Sequence, residues 1–463
     1  MRKFNILFIG ATLFASASFA QNTSIVEQKG GNAANVEQIG NNTSSVKQTG
    51  GGEGELQNSS LVNQEGAGNF ATVEQGADNL NSTPSMGNPV GSYQGNSARI
   101  SQYGNDNLAK VRQTGGSDNN ASILQGETEA GDKDQSDDNS ALVEQQGSGN
   151  SAKVVQIGDK NGKGPHTTYL LQRGDRNISE VSQLGDHNDT DTKQYGNDNE
   201  SYISQSGDKH NTWVEQEGDE NVNLITQEGS KNNAHVYQDG DDNFSDIQQD
   251  GNKNGDSRVT QNGDRNRSNI WQDGDKNDAD VDQDGNDNQA IVVESGQQNN
   301  ADLVQSGDRN YGTIGQFGFE NEALIEQTGN NNEAGVMQFG SSNDVDISQD
   351  GDDYAFGIQT SLLSGNEVDI VQMEGENEAY FGQLGGKNEI LIEQEGGSFA
   401  VAGQSGWENT ATISQSGAEN YSFSLQMGAG NEAIVNQNSA ANAGNLSRVM
   451  QNGNGNTAFV TQQ

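Results

Sequence analysis

Between Gln172 and Gln249 apolar and polar residues alternate in a unit that restarts every eleven residues, its last Gln falling at 172, 183, 194, 205, 216, 227, 238 and 249. The unit reads N-x-[AST]-x-[VIT]-x-Q-x-G, followed by a short polar turn; Asn188 to Gln205 shows two in succession. Within a unit the alternation has period two. Asn277, Ala279, Val281 and Gln283 share one parity, and Asp278, Asp280 and Asp282 the other. Side chains of a strand point to opposite faces in turn, so each unit predicts a strand with one amide-and-apolar face and one charged face. A helix is excluded by the period, by the Gly of every turn and by the abundance of Asn and Asp.

A single strand leaves its small apolar face half exposed. Pairing consecutive units into a strand-turn-strand rung and stacking the rungs buries both faces, so the pattern predicts an all-β, cross-β solenoid. About 38 units give about 19 rungs of roughly 22 residues, stacking to roughly 90 Å at the usual strand spacing. The early units, ending at Gln28, Gln38 and Gln48, are spaced by ten residues. Insertions near 49–57, 76–87, 126–138 and 157–165 fall between units, as surface loops should. Pro84 and Pro165 lie in insertions, and Pro89 in the weakest unit, Asn88 to Gln94. From Gln172 onward the repeat runs nearly unbroken to Gln462, with Glu294 and Thr360 read as occupying the Gln slot and His210 the Asn slot.

Stacked rungs place like slots above one another, and a column of Gln or Asn amides has donors and acceptors to bond along the axis. The candidate ladder residues are Asn188, Gln194, Asn199, Gln205, Gln216, Asn221, Gln227, Gln238, Asn243, Gln249, Asn266, Gln272, Asn277 and Gln283. The Gly two residues after each Gln supplies the backbone freedom of a tight reversal.

Composition changes the picture in one respect. With 29% hydrophobic residues and 61 Gly, the chain has too little apolar material for one large core, so the core must be thin and repeated. Residues 1–20 are the exception to the repeat: Arg2 and Lys3, an apolar run from Phe4 to Phe14, then small residues to Ala20. They read as a secretory signal peptide, leaving a repeat domain over 21–463. No later apolar run approaches the length of a membrane span. There is no cysteine, and a net charge of −43 repels nucleic acid and anionic lipid.

The motif Gln-x-Gly followed by Asn, with that Asn six residues before the next Gln, resembles the curlin repeat of curli subunits. The resemblance covers essentially all of 21–463. It implies a structural, non-enzymatic subunit of an extracellular amyloid fibre of the biofilm matrix, a head-to-tail homopolymer exported by a dedicated outer-membrane machinery. The chain departs from the usual major curlin in having many more units, and in repeats that start directly after the expected cleavage site. A minor, nucleating subunit or a monomeric secreted solenoid adhesin are the alternatives. Regular units at both ends, such as NTAFVTQ at 456–462, lead to the expectation of open, polymerising ends.

Other chemistry is poorly supported. His166, His187, His210 and His235 occupy different phases, no G-x-S-x-G elbow occurs, and Asp273, Asp275, Asn277 and Asp284 mimic an EF-hand without its Gly or its helices. No cofactor is expected. The outward slots Lys153, Glu180, Asp191, Lys193, Tyr202 and Arg258 vary too much for a flat binding column. In the turns, Asp219, Asp241 and Asp264 should stand one above another, where acid or non-specifically bound calcium would relieve their repulsion.

Overall fold

A computed structural model describes residues 22–29, 32–49, 58–76, 95–127, 136–162, 168–361, 364–439 and 444–463. The expected signal peptide, all three prolines, His166, the unit Asn88 to Gln94 and most of the insertions lie outside these residues. The described residues form 35 strands, numbered in order from β1 (Thr23–Lys29) to β35 (Thr457–Gln462). Each strand from β4 (Ser97–Tyr103) onward pairs in parallel with the strand two places further on. Two series of stacked strands result, joined at every turn, and they make a β-solenoid of about 18 turns. The long strands β2 (Ala33–Thr49) and β3 (Ser59–Gly76) hold two units each and so belong to both series, with β1 stacked on the second half of β2.

Register is set by the slots. Gln194 lies over Gln216, Gln205 over Gln227, and Thr192 over Val214. A slip of one residue would turn every apolar side chain outward, so the buried face locks the alignment. β3 pairs directly with β4 and β5 (Leu108–Thr114), with Gln64 over Gln102 and Gln75 over Gln113.

One slot assignment is corrected. Gln359, not Thr360, stands in the Gln column, accepting from Gln338 and donating to Gln383. The preceding turn is one residue short, so the inward parity restarts at Asp353 and carries Ala355, Gly357 and Gln359 to the interior.

The core is a single ribbon of Val, Ile, Leu and Ala from Val46 to Val449, squeezed between the two series. It varies in bulk where neighbours compensate: Gly357 lies in register with Phe381, whose ring occupies the space a Cβ at 357 would need, 2.3 Å away. The turns are equally tight. A Cβ on Gly240 would stand 2.2 Å from the Gly263 carbonyl oxygen, and its φ of +120° is one that L side chains rarely adopt. The residue before many of the column Asn also adopts positive φ without being Gly, as Arg176, Lys231 and Asp242 do near 60°. Sequence periodicity gave no sign of this second left-handed position, because the left-handed well is open, at a cost, to any side chain.

Candidate functional site

The residue columns that run the length of the solenoid are the candidate site. In one Gln column, Nε2 of Gln194 donates to Oε1 of Gln216 at 2.9 Å, Gln216 to Gln238 at 2.9 Å, Gln238 to Gln261 at 2.9 Å and Gln261 to Gln283 at 2.8 Å. In the other, Gln205 donates to Gln227 at 3.0 Å, Gln227 to Gln249 at 2.8 Å, Gln249 to Gln272 at 3.0 Å, and Gln272 to Glu294 at 2.8 Å. Each amide nitrogen has a second proton, and the opposing series takes it: Gln194 donates to the Ile178 carbonyl at 2.9 Å and Gln216 to that of Glu200 at 3.1 Å. Gln therefore ties rung to rung and sheet to sheet. Sequence spacing pointed only to the first of these, since the second depends on how closely the sheets approach.

The Asn columns hold the turns. Oδ1 of Asn199 accepts the backbone N–H of Asn221, Asn221 that of Asn243, and Asn243 that of Asn266, at 2.9 to 3.0 Å. Each Nδ2 donates to a Gly carbonyl one turn on: Asn188 to Gly207, Asn199 to Gly218, Asn221 to Gly240, Asn243 to Gly263, Asn266 to Gly285 and Asn277 to Gly296. Asn277 is fully buried, which removes it from any EF-hand-like cluster with Asp273 and Asp275.

Breaking a column should show these connections. Leu at Gln216 orphans the donor of Gln194 and the acceptor of Gln238; Leu at Gln238 orphans Gln216 and Gln261 in the same way. The double variant still orphans only two groups, at about 1 to 3 kcal/mol each. Unfolding measurements on both singles and the double should therefore show a double cost well below the sum. Changing outward Glu215 and Tyr237 to Ser should cost much less, and equal costs would refute the assignment.

His210 replaces Asn in its column by supplying the same two functions. Its Nδ1 accepts the Asn232 N–H at 3.3 Å and its Nε2 lies 3.2 Å from the Ser206 carbonyl, which fits a neutral ring protonated at Nε2. Burial lowers its pKa from the ordinary 6.5. With the folded value below the unfolded one, its contribution is present above pH 6.5 and lost as pH falls through the folded value. His210→Asn should remove that acid-side loss, while His210→Phe should cost about 1 to 3 kcal/mol at pH 8 in denaturant titrations.

Asp219, Asp241 and Asp264 stand on successive turns, linked through backbone donors. Oδ1 of Asp219 accepts the Asn197 N–H at 2.7 Å, Asp241 accepts that of Asp219 at 2.8 Å, and Asp264 that of Asp241 at 3.0 Å. Each carboxylate thus rests on a backbone donor of the neighbouring turn, a charge-assisted bond. Among the described residues no group of three or more His, Cys, Asp or Glu is placed to hold a metal ion.

Two carboxylates are buried within the amide columns. Glu294 takes a Gln place and Asp353 an Asn place, both are 1% exposed, and burial raises both pKa values, that of Glu294 well above 4.5. Partial desolvation likewise raises the outward Asp246, Asp282, Asp302, Asp344, Asp346 and Asp369. Periodicity flagged Glu294 as irregular but missed Asp353, hidden by the shortened turn.

On the outer surface, basic residues bond acidic ones a rung away: Lys153 with Glu180 at 3.4 Å, Arg258 with Asp280 at 2.6 Å, and Arg265 with Asp287 at 2.7 Å. Lys193 lies between Asp191 and Glu215 and over the Trp213 ring. Exposed pairs of this kind add little to stability, because water and salt screen them. Tyr202 lines an open groove of about 570 Å³ with Lys153, Glu180, Leu224 and Asp246. His235 packs against Trp213, and His187 sits in a turn with positive φ.

No curated protein matches the chain. A family model described as the curlin associated repeat matches residues 94–115, 137–162, 185–218, 218–251, 258–285, 274–307, 296–329, 319–351, 364–396 and 400–438.

Proposed function

Since the chain belongs to the curlin-repeat family, we propose that it is the self-assembling structural subunit of an extracellular curli-like amyloid fibre, without enzymatic activity, serving biofilm matrix and adhesion. The observation that carries this reading is the register. Any rung offers a copy of the chain the same backbone edge, Gln amides and Asn carbonyls that it offers its own neighbour, so addition of a subunit repeats the internal stacking. Export under a signal peptide over 1–20, through a curli-type outer-membrane and nucleation machinery, follows from the same reading. The test is incubation of the purified chain lacking residues 1–20 at micromolar concentration. Thioflavin-positive fibres with a cross-β spacing near 4.8 Å along the axis are expected. A chain that stays monomeric for days would leave the secreted solenoid adhesin in its place.

A further inference from the structure

The two outer faces of the solenoid are unlike in its C-terminal third. Consider the outward side chains of alternate strands from β20 (Gln289–Gln297) through β22 (Tyr311–Phe319), β24 (Glu333–Ser341), β26 (Tyr354–Ser361), β28 (Glu378–Gly386), β30 (Phe399–Trp407) and β32 (Tyr421–Ala429) to β34 (Leu446–Asn454). Their outward slots are largely aromatic and aliphatic, and the only charged residues in them are Glu333, Glu378 and Arg448. On the opposite face, every charged outward side chain from β19 (Asp278–Asp284) to β33 (Glu432–Asn438) is acidic. The expectation that outward slots vary without pattern, drawn from positions between 153 and 258, fails here.

The apolar face is exposed and level. Leu384 and Met427 are each 52% exposed, Leu425 41% and Phe339 38%. Rings follow one another across rungs, Phe317 stacking on Phe339 at 5.1 Å and Phe399 lying 5.7 Å from Tyr380 and 6.1 Å from Tyr421. Large side chains also lie down over glycines of the adjacent rung: Phe356 covers Gly335 and Leu425 covers Gly403, each within 2.8 Å of where a Cβ would stand. Contiguous apolar surface of this extent marks an interaction site.

We infer that this face packs against the same face of a second copy, side by side, so that two solenoids form a four-sheet sandwich with their acidic faces outward. Three features select that occupant. A second copy is as level and apolar as the face itself, which suits a two-fold, self-complementary interface. The strands involved span roughly 900 Å² per copy, close to the roughly 800 Å² per partner of a stable interface. The acidic face repels its own copy, so lateral pairing has one orientation open to it. The pairing does not require growth along the axis.

The test compares the full chain with a Phe339→Glu, Leu384→Glu, Leu425→Glu variant and with a control carrying Thr410→Glu, Thr412→Glu and Ser414→Glu on the acidic face. In scanning transmission microscopy, wild type and control are expected at twice the mass per length of one solenoid, and the variant at half theirs. A Ser triple at 339, 384 and 425, which removes apolar area without adding charge, should shift the same way to a smaller extent. Sedimentation of the soluble chain reads pairing even if no fibre grows: a lateral dimer is lost in the Glu and Ser variants, whereas an end-to-end dimer is not. Single-solenoid mass in the wild type, or pairing retained in all variants, overturns the inference. So does retention of an unpaired wild type on insoluble glycan, which would assign the face to polysaccharide.

Discussion

Replacing Glu294 by Gln is expected to stabilise the protein at pH 8 by roughly 1 to 3 kcal/mol and to change little at pH 4. Glu294 receives the Gln272 amide proton on Oε2, but its Oε1 is buried without a partner, as is Oε1 of Gln316 on the next rung. Two facing acceptors need one proton between them. A neutral Glu294 supplies it and behaves as Gln does, and an ionised one leaves a charge and an orphan oxygen in the core. Burial raises its folded pKa well above 4.5. Its favourable contribution is therefore complete below pH 4.5 and is lost as pH rises through the folded value. Asp353 follows the same sign: Oδ1 accepts the N–H and Nδ2 of Asn377 at 2.9 Å, and Oδ2 is orphaned. His210 opposes them on the acid side. Denaturant midpoints and assembly lag times from pH 4 to 8 should show acid favouring the wild type, with Glu294→Gln flattening the profile. An unchanged profile would remove Glu294 as the source.

Phe381→Ala is the second large effect, about 3 to 5 kcal/mol of lost stability. Phe381 is 6% exposed and lies in register between Gly357 and Ala402, so its ring fills the room its small neighbours leave. Gly357→Val alone should also destabilise, because its side chain meets that ring. The double variant Gly357→Val, Phe381→Val distributes the volume evenly and should recover much of the loss, a coupling that independent sites do not show. Chemical denaturation of the three variants measures it, and strict additivity would contradict the compensation.

Strand positions, the inward parity and the stacking of like slots followed from sequence, because a period of two with a fixed polar turn admits one facing for Val, Ala, Gln and Asn. The eleven-residue spacing even set which Gln stands over which, since rung length is residue count. Three matters belonged to the tertiary structure. The shortened turn before Asp353 shifted the slots by one, and only the burial of Gln359 distinguishes it from Thr360. The partners of the turn carboxylates depended on backbone N–H directions between turns, which residue identity does not encode; the stacking of Asp219, Asp241 and Asp264 was legible, their bonding was not. The segregation of aromatic from acidic residues onto opposite outer faces also stayed hidden. Along the chain the two kinds alternate unit by unit, and they separate only when every second strand is stacked on the same sheet.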